Sequence, residues 1–146
     1  MFDKDPEEVF TAENNAEGHK NVGDIFCCSM QDYKFSKTVK VSAINMRWCI
    51  GYLSPEEQLA WLRKAKAALD NEKKRYTRSK PPPSYIFILD NVDERNTKDI
   101  LRIHGQTVGK AEYYQKLWPK AGLEVHDFER KSLNLEYIAV MMWALY

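Results

Sequence analysis

From Val22 onward, apolar and polar residues fall into short blocks of recognisable period. Residues 24–29 (DIFCCS) form a brief apolar run, closed by the polar stretch 30–34. Residues 36–43 alternate with period two and include the β-branched Thr38, Val39 and Val41. Asn45 offers a turn, and residues 46–52 read as a third strand. Three short strands joined by tight turns predict an antiparallel meander. Ser54-Pro55-Glu56-Glu57 then opens a helix: Ser54 is the cap, Pro55 suits the first helical position, and Glu57 completes a capping box. Its apolar positions Leu59, Leu62, Ala65 and Leu69 lie on one face, and the helix is expected to run to about Tyr76. Pro81-Pro82-Pro83 stops it. Residues 84–90 (SYIFILD) are almost continuously apolar, which predicts a strand buried on both faces.

Further on, a helix is expected from Asn96 or Thr97 to Pro119, with Gly105 and Gly109 on one face for close packing. Residues 123–128 read as a short strand. Ser132 then caps a last helix, 133–146, apolar nearly all round. The order strand, strand, strand, helix, strand, helix, strand, helix predicts an α/β fold. In it a three-strand meander is followed by βαβ crossovers, in a mixed sheet with helices on both faces.

Charge adds a division. Residues 1–19 hold six acids against Lys4, while the other residues hold 21 bases against 15 acids. Residues 1–20 therefore read as an acidic, mobile tail and 21–146 as a single α/β domain. The whole chain, with 22 bases and 21 acids, is too balanced for a wholesale polyanion binder. Cys27, Cys28 and Cys49 are odd in number and lack CxxC spacing, which suits a reducing compartment. No apolar run has a membrane-spanning length, and the acidic start does not resemble a signal peptide. The expected location is intracellular, cytoplasmic or nucleoid-associated.

The basic run Lys73, Lys74, Arg75, Arg78 and Lys80 could face phosphates. Lys110 and Lys116 interleave with Tyr113, Tyr114 and Trp118, aromatics able to stack on bases or anchor a protein partner.

Asp90-Asn91 at the end of a strand, Asn96, Gly105-Gln106-Thr107-Val108-Gly109, and Gly122-Leu123-Glu124-Val125 together resemble the core of the RuvC family of Holliday-junction resolvases. The final stretch from Glu136 resembles that family's closing helix. The resemblance implies an RNase H-like fold and two-metal phosphodiester hydrolysis, with Asp90 and Glu136 as Mg²⁺ ligands; an active site would use Glu94 beside them. The first-strand acid of that family is missing, since Ser29 stands near its place. The resemblance therefore implies a degenerate, non-catalytic nucleic-acid-binding relative, with no cofactor. An active Mg²⁺-dependent nuclease is the first alternative, and a small regulatory protein that inhibits or scaffolds a protein partner is the second. DNA or RNA is the expected partner, and a homodimer is possible in this reading.

Overall fold

The computed structural model describes residues 1–36, 41–73, 84–93, 98–103, 105–132 and 139–146. The chain divides into two compact units, Met1–Ser36 and Lys37–Tyr146.

In the first unit, strand β1 (Phe2–Asp3) pairs in parallel with β2 (Phe26–Cys27), and helix α1 (Pro6–Ala16) lies between them in sequence. The acidic segment read as a tail thus carries a helix. Its start follows from local chemistry: Asp5 caps it, accepting from the Glu7 N–H at 2.9 Å, and Pro6 occupies the first turn. Glu7 and Glu8 in that turn complement the positive end of the helix dipole. Tyr33 gathers three aromatics of this unit, stacking on Phe2 at 4.3 Å with Phe26 and Phe35 edge-on.

The second unit is built on a six-stranded sheet. Its elements are β3 (Ala43–Arg47), a 3₁₀ turn (Ile50–Tyr52), α2 (Pro55–Lys73), β4 (Tyr85–Val92), β5 (Ile100–Ile103), β6 (Gln106–Gly109), α3 (Ala111–Lys120), β7 (Val125–Ser132) and β8 (Ala139–Leu145). The order across the sheet is β5-β6-β4-β8-β7, and β3 pairs with the first part of β4.

Residues 37–40 of the meander's expected middle strand lie outside the described residues, and the described parts of the other two strands do not pair with each other. β2 pairs with β1, and β3 lies parallel to β4 rather than antiparallel to a neighbour in sequence. Across the span 96–119 of the expected helix, the described residues form a β5–β6 hairpin followed by the shorter α3, with 96, 97 and 104 outside the described residues. Gly105 is the reason: it turns the hairpin at φ 81°, a backbone conformation open to glycine and costly for other residues. Of the expected last helix, residues 133–138 lie outside the described residues, and Ala139–Leu145 form β8, a central strand between β4 and β7. An apolar run such as AVMMWAL has no period that tells a buried helix from a strand paired on both sides.

The capping box is present, with Glu57 N–H donating to Ser54 Oγ at 3.3 Å and Ser54 N–H to Glu57 Oε2 at 2.8 Å. α2 buries Trp61, Leu62, Ala65 and Leu69. β4 is buried on one face only, through Ile86, Ile88, Asp90 and Val92, while Phe87 on the other face is exposed. Tyr114 and Trp118 of α3 pack with Trp143 of β8 at ring distances of 5.1–5.6 Å to form the aromatic part of the core.

Candidate functional site

β3, β4 and β6 run in the same direction, so their carboxyl ends (Arg47, Val92 and Gly109) share one edge of the sheet. Ligands of open α/β sheets bind at that edge. β3 leaves the sheet there. The Trp48 N–H still donates to Leu89 O at 2.8 Å, then the chain turns away and β6 takes the vacated edge of β4, with the Asp93 N–H donating to Gly109 O at 3.1 Å. Asp90 stands beside this exchange of neighbours.

The Asp90 carboxylate is buried and held by backbone. It accepts from the Gly51 N–H at 3.2 Å and from its neighbour Asn91 N–H at 2.8 Å, with the N–H groups of Ile50 and Cys49 also directed at it. Burial raises its pKa above the ordinary carboxylate value, and those N–H groups pull the other way. Its lone pairs are engaged by the turn, which suits an anchor better than a metal ligand. Among the described residues, no group of three or more His, Cys, Asp or Glu could hold a metal ion. Space beside Gly51 is tight, since a Cβ would lie 3.1 Å from Thr107 O, with Asp90 Oδ1 in ordinary contact at 3.5 Å.

The turn that Asp90 anchors displays two aromatics. Trp48 and Tyr52 are exposed at 45% and 47% respectively. Trp48 is the one non-glycine among the described residues with positive φ, at 49°, a conformation that costs a bulky side chain of order 1–3 kcal/mol. The Arg47 guanidinium lies 5.2 Å over its ring. The reading of 46–52 as a strand hid all of this. Gly51 and the Ser54 cap were the available signals, since a strand cannot continue to the residue that starts a helix.

The other expected site residues scatter. Glu94, Glu136, Lys74, Arg75, Arg78 and Lys80 lie outside the described residues, as does the side chain of Lys73. Lys110 precedes α3, and exposed Lys116 pairs with Asp99 at 3.4 Å. Tyr114 and Trp118 are wholly buried and offer no ring face to a base or a partner, while half-buried Tyr113 donates its hydroxyl to Gln58 Oε1 at 2.7 Å.

A family model for AdoMet-dependent proline di-methyltransferases matches residues 4–146. The chain belongs to that family. The alpha N-terminal protein methyltransferase 1 of rice, in the indica and japonica subspecies alike, is 26% identical over 128 residues, covering 87% of this chain and 37% of the relative. The chain thus spans well under half the length of the curated relatives it matches. A SAM-dependent methyltransferase of Leishmania major superposes with a TM-score of 0.79 at 17% identity, covering 99% of this chain and 53% of that one. Magnesium protoporphyrin IX methyltransferase from Synechocystis, solved with bound SAM, gives a TM-score of 0.64 at 11% identity, covering 99% of this chain and 57% of that one.

The fold of this family member is therefore the Rossmann-like fold of SAM-dependent methyltransferases, and only the coarse α/β expectation survives. The RuvC-like resemblance is overturned, and with it the RNase H-like fold, the nuclease and pseudo-nuclease readings and the regulatory-protein alternative. The match failed for a structural reason. Its G-Q-x-x-G helix is strand β6 here, and its closing helix is largely strand β8. The cofactor expectation of none or Mg²⁺ is corrected likewise, since methyltransferases of this fold bind S-adenosylmethionine or its product. Binding of DNA or RNA and homodimerisation find no support in these relatives. No described helix is long and apolar enough to cross a membrane.

Proposed function

We propose that this chain forms the acceptor-facing part of an AdoMet-dependent methyltransferase acting on the α-amino group of protein N-termini, N-terminal proline included. The family match and the rice relatives, which carry that activity in their name, support the reaction class. The observation that carries the reading to particular residues is the strained, outward-facing Trp48 at the shared carboxyl edge of β3, β4 and β6.

The residues at this edge fit such a cofactor. Exposed aromatic rings attract a positive charge, and Trp48 and Tyr52 are the residues that would border a sulfonium and the acceptor beside it. Bound AdoMet supplies a methyl group made electrophilic by positively charged sulfur. The chain's own task is to hold a neutral amine with its lone pair aimed at that methyl. Flat rings suit the proline ring or the first residue of a peptide. Asp90 keeps the turn in place through Gly51, and it is this fixed geometry that converts binding into orientation.

The test is methyl transfer from labelled AdoMet to peptides with a free N-terminal proline, read by mass spectrometry. One added methyl group or more is expected at the N-terminal nitrogen, and none on the same peptide with a blocked N-terminus. Equal labelling of the blocked peptide would overturn the assignment.

A further inference from the structure

Gln58 is a wholly buried amide on the apolar face of α2. Burying an amide is costly unless each polar atom finds a partner, and here each does. The Nε2 group donates to Ile50 O at 3.1 Å and to Leu53 O at 3.2 Å, the first residue of the 3₁₀ turn and the residue that follows it. With both amide hydrogens directed at carbonyls, Oε1 faces α3 and accepts the Tyr113 hydroxyl at 2.7 Å. Thr107 of β6 adds its hydroxyl to Leu53 O at 3.0 Å. Tyr113 is itself held, because its ring rests on Gly109, where even a Cβ would come within 2.6 Å. An unbroken run of contacts therefore leads from the end of β6, through α3 and α2, to the turn that carries Tyr52 and anchors Asp90.

A leucine at position 58 would fill the same space without this network, and Ile50 O and Leu53 O would keep the Leu53 N–H and the Thr107 hydroxyl as donors. The amide is thus unnecessary for satisfying those carbonyls, but it ties both to α3. We propose that Gln58 and Tyr113 are positioning residues that set the Trp48–Leu53 turn, so that capture of the methyl acceptor depends on the contact between α2 and α3. The proposal rests on the reading of this turn as the acceptor's seat.

Tyr113→Phe removes one oxygen, keeps the ring on Gly109 and leaves Gln58 Oε1 buried without a donor. Gln58→Met removes the amide at similar volume. With an N-terminal proline peptide as substrate, each variant of the full chain is expected to raise KM for the peptide about tenfold while kcat and the affinity for AdoMet stay within about twofold. The double variant is expected to be no worse than Gln58→Met alone, because both substitutions cut the same connection. Unchanged peptide KM in both single variants would overturn the proposal, as would additive losses in the double variant.

A second readout is independent of activity. Amide exchange at Gly51, whose N–H is bonded to Asp90, is expected to quicken about tenfold in Tyr113→Phe while exchange at Ile88 in β4 is unchanged. Gly51 exchange equal to that of the unsubstituted chain would overturn the positioning role even if the chain transfers no methyl group. Faster Gly51 exchange without any methyl transfer would retain the coupling and refute its link to the acceptor.

Discussion

Gly109 and Tyr113 fit together so closely that a Cβ on Gly109 would lie 2.6 Å from Cδ1 of the tyrosine ring. The contact joins the end of β6 to the first turn of α3. The other face of the relationship is the bond from the Tyr113 hydroxyl to Gln58. Gly109→Ala is therefore expected to displace the ring and to cost about 2 kcal/mol, the scale of overpacking in a tight site. Urea unfolding would measure it, and a loss below half of that would mean the ring can move aside freely.

Burial and, second to it, the charge of Glu56 push the Tyr113 phenol up to about 12. Its favourable contribution is therefore complete below the ordinary tyrosine value of 10.0 and is lost as pH rises through about 12. The tyrosinate absorbance of the unsubstituted chain minus that of Tyr113→Phe should rise near pH 12. A rise near the ordinary value would show the hydroxyl to be free in solution.

Trp48 offers a comparison of two truncations. Both Trp48→Gly and Trp48→Ala remove the ring, so both should lose peptide affinity to the same extent. At φ 49° glycine is relaxed and alanine is not, so the glycine variant should be more stable by about 1 kcal/mol. Thermal unfolding of the two proteins decides it. Equal stability would mean that the positive φ relaxes once the ring is gone.

Asp90 is held by backbone N–H groups, yet burial leaves its pKa above the ordinary 3.8. The sign follows directly. The folded state holds the proton more tightly, so this contribution to stability is present below 3.8 and is lost as pH rises through the higher folded value. Asp90→Asn does not titrate. The stability of the unsubstituted chain relative to this variant is expected to decline as pH rises above 3.8, measured as urea midpoints at each pH. A gap that widens with rising pH would reverse the assignment.

Ser54→Ala should cost about 1 kcal/mol, since it removes the acceptor for the Glu57 N–H at the start of α2. Because that turn leads directly out of the 3₁₀ segment, hydrogen exchange should quicken first around Glu57 and Gln58. Uniform quickening along the whole of α2 would show that the cap stabilises the helix globally and not its first turn.

Local chemistry alone determined a good part of this protein. The Ser54–Glu57 box starts α2 where it is read, and the apolar residues 84–90 become a strand, because capping and β-branched or aromatic packing act over a few residues. Asp90 stood out as an acid at a strand end, and it lies near the carboxyl edge shared by β3, β4 and β6, where it anchors a turn. What only the tertiary structure decided is pairing and exposure. Whether AVMMWAL is helix or strand depends on β4 and β7 lying on either side of it. Gly105 and Gly109 signify a hairpin turn and a ring contact only once β5, β6 and α3 are in place. Tyr114 and Trp118, attractive as stacking surfaces in sequence, are core because Trp143 reaches them from β8. Trp48, inside what reads as a strand, faces outward because β3 leaves the sheet and β6 takes its place beside β4. Non-local pairing of this kind is settled by the free energy of the whole sheet, and no short window of sequence contains it.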